Sequence, residues 1–350
     1  MSKYSVIADK LMDEIAHGKF SDSGKLPTEF ELVDMYGVSR QTIRQAISVL
    51  KSEGIVYQVQ GSGTYISRSS TVARRGVESL FKNIFIICTY ISEYIFPSII
   101  RGIESTLGGT NYRFNLGATG NKVDLERKIL GDVLKMKEVD GIILEGSKTG
   151  FPNPNIGMYM KLQEMGIPIL FLHCAYQELP DSIVVGMDDK AGGKIAAKRL
   201  VGQGCRKIMG IFKSDDRQGL LRYAGFTEGL LESGIGLGSS EVRWYTTEDM
   251  ADRGMELDRN MIEIILNSGT DGIVCYNDQV ASMIVRDFTR NGYPLPKLMS
   301  FDDSYLCRNS AVPFESLGHR KEELGIIAAH KIRNMVEGKK ETSVFLDWIV

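Results

Sequence analysis

The chain has 350 residues, room for two or three compact units, and its 43% hydrophobic and 25% charged residues are those of an ordinary globular protein. A net charge of −2 excludes a protein that coats nucleic acid through its overall field, so any DNA affinity must come from a local patch. The five cysteines (Cys88, Cys174, Cys205, Cys275, Cys307) form no CxxC pair, and no apolar run approaches the ~18 residues of a membrane span. Reduced thiols in a cytoplasmic protein are expected, with no structural zinc, no other metal and no cofactor.

From Tyr4 to Ile15, Val6, Ile7, Leu11 and Ile15 fall at helical spacing, and His17-Gly18 closes that segment. Thr28, after Leu26-Pro27, reads as the N-cap of a short second helix carrying Phe30, Leu32 and Val33. Gly37 ends it and Ser39 caps a third helix. There Ile43, Ala46, Ile47 and Leu50 make one apolar face, leaving Arg40, Gln41, Arg44 and Gln45 elsewhere on the cylinder. Such side chains are ordinarily just solvated. Near a helix N-terminus, however, two arginines one turn apart beside two glutamines can address base edges in a major groove. Gly54 stops the helix, and two strand-like runs, Ile55 to Gln60 and Thr64 to Ser67, are joined by Gly61-Ser62-Gly63. Three helices and a glycine-tipped hairpin predict a small winged helix-turn-helix domain over residues 1–67.

The runs Lys25-Leu26-Pro27-Thr28-Glu29, Tyr36-Gly37-Val38-Ser39-Arg40-Gln41-Thr42-Ile43-Arg44 and Gln60-Gly61-Ser62-Gly63-Thr64 resemble a GntR-type DNA-binding domain. The resemblance implies DNA contacts from Glu29, Arg40, Arg44, Gln60 and the wing-tip glycines Gly61 and Gly63. Ser39, Gln41, Thr42 and Ser62 share those two segments and complete the candidate DNA-binding set. Arginines suit guanine O6 and N7, and a glutamate can accept from cytosine N4.

Residues 68–82, small, polar and arginine-containing, read as a linker. From Asn83 the pattern becomes strand then helix, repeatedly. Strands are predicted at Ile84–Cys88, Tyr112–Leu116, Asp140–Glu145, Ile167–His173, Lys207–Phe212, Val242–Tyr245, Gly272–Tyr276 and Leu298–Phe301. Helices are predicted at about Phe96–Thr106, Leu125–Met136, Gly157–Met165, Ala191–Gln203, Leu220–Ser233, Asp258–Asn267, Asp278–Asn291 and Lys321–Val336. This alternation implies an α/β fold of doubly wound parallel sheets, and its length implies two lobes over residues 83–350 with a cleft between them.

Polar residues collect at the carboxyl ends of these strands: Tyr94 and Phe96, Glu145 and Lys148, His173, Asp215 followed by Arg222, Asn277, and Asp302 with His319 downstream. Rings that stack on a pyranose and charged groups that bond its hydroxyls are the chemistry of sugar binding. Any one of them alone would be a helix cap or a solvated loop group, Asp278 and Asp303 above all.

Val139-Asp140-Gly141-Ile142-Ile143, Gly166-Ile167-Pro168, Arg222-Tyr223-Ala224-Gly225-Phe226, Tyr276-Asn277-Asp278 and Phe301-Asp302-Asp303 resemble the LacI-type effector domain. That domain shares the periplasmic sugar-binding-protein fold. A GntR-type head on such a body is similar to the arabinose-responsive repressor family. The resemblance implies a homodimer that binds operator DNA and is released by a small sugar, L-arabinose; the alternative is a sugar-responsive activator or a regulator answering another class of small molecule. It also implies a pocket using Phe96, Glu145, Lys148, His173, Asp215, Arg222, Asn277, Asp302 and His319, with Tyr94 beside Phe96.

Enzyme signatures are weak. Gly141 to Thr149 approaches a phosphate-binding loop, but Ser147 separates glycine from lysine and puts the backbone nest out of register. Gly234-Ile235-Gly236-Leu237-Gly238 follows a helix, not a strand. GxSxG and HExxH are absent, and the four histidines are dispersed. A sugar-modifying enzyme is the rival class, and it leaves the winged helix unexplained.

Overall fold

A short apolar stripe, two caps and a hairpin suffice to build the N-terminal part of the chain. The computed structural model describes residues 3–16, 19–20, 24–52, 55–59, 63–66, 81–91, 94–136, 138–252 and 259–350. It divides into two compact units, Met1–Phe81 and Lys82–Val350. His17, Gly18, Gly54, Gln60, Gly61, Ser62 and most of the predicted linker lie outside the described residues.

The first unit contains α1 (Lys3–Ala16), α2 (Glu29–Tyr36), α3 (Arg40–Ser52) and the antiparallel hairpin β1 (Val56–Val59) and β2 (Gly63–Ile66). Leu11, Leu32, Ile43, Ala46 and Leu50 are fully buried in one core, as their helical spacing predicts. Thr28 forms a complete capping box: its hydroxyl accepts from Glu31 N at 3.4 Å while its own N–H donates to the Glu31 carboxylate at 2.6 Å. Gly37 closes α2 at φ 62°, a left-handed conformation natural to glycine. The hairpin gains a third partner where Leu26 N–H donates to Thr64 O at 2.8 Å and Ile66 N–H to Gly24 O at 3.0 Å.

The second unit begins with β3 (Lys82–Cys88), α4 (Phe96–Leu107), β4 (Tyr112–Ala118), α5 (Val123–Val133), β5 (Gly141–Leu144), α6 (Ile156–Glu164), β6 (Ile169–Leu172) and β7 (Ile183–Met187). It continues with α7 (Asp189–Gly202), β8 (Ile208–Lys213), α8 (Arg217–Glu232), β9 (Glu241–Tyr245), α9 (Thr247–Asp252) and α10 (Arg259–Ser268). Then come β10 (Gly272–Cys275), α11 (Asp278–Asn291), β11 (Lys297–Asp302), α12 (Tyr305–Arg308), β12 (Glu315–Gly318), α13 (Lys321–Val336) and β13 (Val344–Leu346). Two parallel sheets result. One has the order β13-β7-β6-β5-β3-β4 and the other β12-β11-β10-β8-β9.

Strands covered by helices on both faces must be apolar on both, and they are. In β3, Ile84, Ile86 and Cys88 enter one core while Phe85 and Ile87 enter another. In β10, Val274 faces one core and Ile273 and Cys275 a different one. Helices α4 and α13 pack tightly: a Cβ added at Gly102 would lie 2.2 Å from Glu322 O.

The chain passes between the lobes three times, after β7, after β12 and after β13. These crossings are tied together. Asp188 N–H donates to Leu346 O at 2.9 Å, Gly318 and Ile349 exchange backbone bonds of 2.7 and 3.0 Å, and Trp348 Nε1 donates to Asp188 O at 2.9 Å.

Every predicted strand and helix is present to within a few residues, but β7, α9, α12, β12 and β13 were not anticipated. All five are six residues or shorter, too brief to show a period. Lys82, assigned to the linker from sequence, pairs with Tyr112 as the first residue of β3. Among the described residues no helix is long and apolar enough to cross a membrane.

Candidate nucleic-acid interface and effector cleft

Six of the ten residues expected to read DNA, Glu29, Ser39, Arg40, Gln41, Thr42 and Arg44, meet at the start of α3. Ser39 is its N-cap, with the hydroxyl accepting from Thr42 N at 3.3 Å and paired to Thr42 Oγ1 at 2.9 Å. Arg40, Gln41 and Arg44 are exposed, because the apolar positions take the opposite side of the helix. Glu29, the first residue of α2, holds both arginines: Arg40 Nε lies 2.7 Å from Glu29 Oε2 and Arg44 Nε 3.0 Å from both carboxylate oxygens. Burial alone would raise the Glu29 carboxyl; the two guanidiniums outweigh it and hold it below the usual range. Arg40 also sits 4.4 Å over the exposed Phe30 ring. α3 itself carries Arg40, Arg44 and Lys51 and no acid, so it is a locally basic helix in a chain of net charge −2. Of the wing tip only Gly63 is described, at φ 131° against the Lys25 side chain. Gln60, Gly61 and Ser62 lie outside the described residues.

In the body, a cavity of about 290 Å³ opens between the carboxyl ends of the two sheets. Six of the ten candidate residues line it: Tyr94, Phe96, Glu145, Arg222, Asn277 and Asp302. Lys148, His173, Asp215 and His319 do not reach its wall. The cavity is also walled by Tyr90, Lys213, Asp216, Gln218, Tyr276 and Gln279, which sequence reasoning did not select. Lys213 and Asp216 stood in plain view at the end of β8, and Tyr276 at the end of β10. The strand-end criterion reaches them, and only the choice of residues within each strand end left them out of the candidate set.

Arg222 is fully buried, and its guanidinium is held by a carboxylate, a backbone carbonyl and three aromatic rings. Nε donates to Asp189 Oδ1 at 2.8 Å, NH1 donates to Tyr276 O, and the guanidinium stacks 4.4 Å from Phe301, 4.8 Å from Tyr276 and 5.0 Å from Trp348. Desolvation works against its charge, but Asp189 and Asp302 outweigh it and raise its pKa. Lys213 Nζ lies 2.6 Å from Asp216 Oδ2. The two cations of the wall are thus already matched by carboxylates.

Glu145 accepts from Thr89 N at 2.9 Å and from the Thr89 hydroxyl, and burial pushes its carboxyl up to about 7 in spite of these donors. Behind it His173 Nε2 stands 3.8 Å from Glu145 Oε1. Burial pushes His173 down to about 4 and His319 well below its ordinary range, so both rings are neutral. They meet edge to face at 5.5 Å, and their ring nitrogens have no hydrogen-bond partner in the protein. Asp302 Oδ2 accepts from Tyr94 OH at 2.6 Å, while Oδ1 is buried without a partner. Asp278 is neither a cap nor solvated. It is fully buried and accepts from Ser304 N at 2.7 Å and Ser316 Oγ at 2.6 Å.

Six described non-glycine residues have positive φ: Tyr94, Asn121, Lys148, His173, Asp302 and Asp303. Four of them belong to the candidate set, and such conformations persist only where the surroundings over-determine them. No cluster among the described residues has the donors for a metal ion.

A winged helix-turn-helix carried by a two-lobed body around a polar, aromatic cavity is the architecture of a ligand-responsive transcriptional regulator. Residues 3–66 match the gntR family of bacterial regulatory proteins, and residues 197–346 match the periplasmic binding protein-like domain. The chain is 37% identical to the arabinose metabolism transcriptional repressor of Halalkalibacterium halodurans, over 97% of this chain and 91% of that protein. It is 32% identical to the repressor of the same name from Geobacillus stearothermophilus, over 96% of this chain and 92% of that protein. A periplasmic binding protein/LacI transcriptional regulator from Alkaliphilus metalliredigens QYMF, complexed with D-xylulofuranose, superposes with a TM-score of 0.64 at 21% identity. That match covers 76% of this chain and 96% of the other, and it speaks to fold alone. The chain belongs to the GntR-headed family of arabinose metabolism transcriptional repressors. It is a regulator of transcription and not an enzyme.

Proposed function

We propose that this cytoplasmic repressor binds a two-part operator as a homodimer and is released when L-arabinose enters the cleft. Each α3 would enter a major groove, with Ser39, Arg40, Gln41, Thr42 and Arg44 at its N-terminal end and Glu29 beside them. The wing residues Gln60, Gly61, Ser62 and Gly63 would take the flanking groove or backbone.

The observation that carries the effector reading is the charge balance of the cavity. Lys213 is matched by Asp216 and Arg222 by Asp189, so neither cation is left to attract a phosphate or a carboxylate. An unmet acceptor remains instead, Asp302 Oδ1, in a wall that also includes the aromatic residues Tyr90 and Phe96. That combination suits a small neutral polyol, and the names of the two relatives single out arabinose. Lys148, His173, Asp215 and His319 would then act from behind the wall, by shaping it or by holding the lobes. Titration calorimetry against L-arabinose, D-xylose, D-ribose, a sugar acid and a sugar phosphate tests this. L-arabinose should bind most tightly, and tighter binding of a charged sugar would overturn the reading.

A further inference from the structure

Apart from the three crossings, the lobes are joined by a second set of contacts around the turn Ser147–Gly150. Lys148 Nζ lies 2.6 and 2.7 Å from the Glu248 carboxylate oxygens and 3.6 Å from Asp215 Oδ2, both on the other lobe. Gly150 N–H donates to Asp215 O at 3.1 Å, and Arg217 N–H returns a bond to Thr149 Oγ1 at 3.1 Å. Asn121 reinforces the junction: its Oδ1 accepts from Lys148 N at 2.7 Å while its Nδ2 donates to Thr247 Oγ1 at 2.6 Å and Asp216 Oδ1 at 3.2 Å.

The turn is held rigidly on its own side. Glu126, fully buried, accepts from Ser147 N at 2.9 Å, Asn153 Nδ2 at 2.8 Å, Asn155 Nδ2 at 2.8 Å and Tyr176 OH at 2.7 Å. The approach of the lobes is so close that a Cβ on Gly150 would meet Ser214 O at 2.4 Å and Asp215 C at 3.0 Å. Gly150 does not have positive φ, so alanine would suit its own backbone. The obstruction comes from the opposite lobe alone.

We propose that Ser147–Gly150, anchored by Glu126, is a clasp that sets how much of the body is closed, with Lys148 and Gly150 acting as positioning residues. The clasp governs sugar affinity from outside the sugar site, because apparent affinity scales with the closed fraction. This rests on the cleft being where the effector binds, but the clasp itself can be read without a ligand.

Hydrogen exchange followed by mass spectrometry on the full chain provides that reading. Arg217 opens α8, so its N–H has no partner within the helix and its protection reports the bond to Thr149. In Gly150→Ala the segment around Arg217 should lose protection while the buried strand β5 keeps it. Unchanged exchange at Arg217 would overturn the clasp, whatever the effector proves to be. With L-arabinose as probe, Gly150→Ala should weaken binding by about tenfold or more, chiefly through faster dissociation. Lys148→Met and Glu248→Gln should each weaken it, and the double variant should be no worse than Lys148→Met alone. Additive losses would instead make Lys148 a direct sugar contact. If L-arabinose fails to bind the unaltered chain while Arg217 responds as described, the effector reading falls and the clasp stands.

Discussion

Glu145 shows how one side chain can tie cavity chemistry to pH. Its carboxyl sits at about 7 in the folded chain, above its ordinary value, so the fold holds a proton that the unfolded chain releases. Its contribution to stability is therefore greatest below the ordinary carboxylate range and is lost as pH rises through about 7. Glu145→Gln removes this dependence, and melting temperatures from pH 5 to 8 should fall less steeply for the variant than for the parent. His173 acts in the opposite sense. Held at about 4, it costs stability as pH falls below the ordinary histidine range. At the other end of the chain, Arg44→Ala should cost about 1–3 kcal/mol of operator affinity if Arg44 is bidentate to guanine, with sugar binding unchanged. Fluorescence anisotropy on labelled operator reads it. Arg222→Ala lacks such selectivity. It would strand the buried Asp189 carboxylate and cost about 3–5 kcal/mol of stability, measurable by denaturant unfolding of the body.

At the scale of elements, tight joints matter more than individual pairs. α4 and α13 approach so closely at Gly102 that Gly102→Ala drives a methyl into Glu322 O and should destabilise the body by about 1–3 kcal/mol. Calorimetric melting would show it. The three crossings depend on Trp348, which is buried against Phe301 at 5.1 Å and His319 at 5.6 Å and bonded to Asp188 O. The cap at Thr28 illustrates the smaller scale of effect: Thr28→Ala should cost about 1 kcal/mol, confined to the first unit.

For the whole molecule, the proposal requires that the two units influence each other. Coupling between distinct ligands is typically about 1–3 kcal/mol and must be reciprocal, so saturating operator should weaken L-arabinose binding by the same factor that the sugar weakens operator binding. Identical sugar affinity with and without operator would sink release by sugar as the mechanism.

What the sequence determined by itself was whatever repeats over a few residues. Helical spacing placed Ile43, Ala46, Ile47 and Leu50 inside and left Arg40 and Arg44 out, and unbroken apolar runs marked strands buried on both faces. These patterns are local because the period of a helix or strand is local. Strand-end position likewise led to six residues of the cavity wall. Only the tertiary structure decided what Lys148 and Asp215 do, since Lys148 meets Glu248 from 100 residues away, across two sheets. The same holds for β13, a short edge strand, and for β7, which lies between it and β6: both are defined by the partners they pair with. Side chains at a strand's end share a neighbourhood by topology, but whether they face a cavity, a rival charge or the other lobe depends on how the two sheets are brought together, and no stretch of chain encodes that alone.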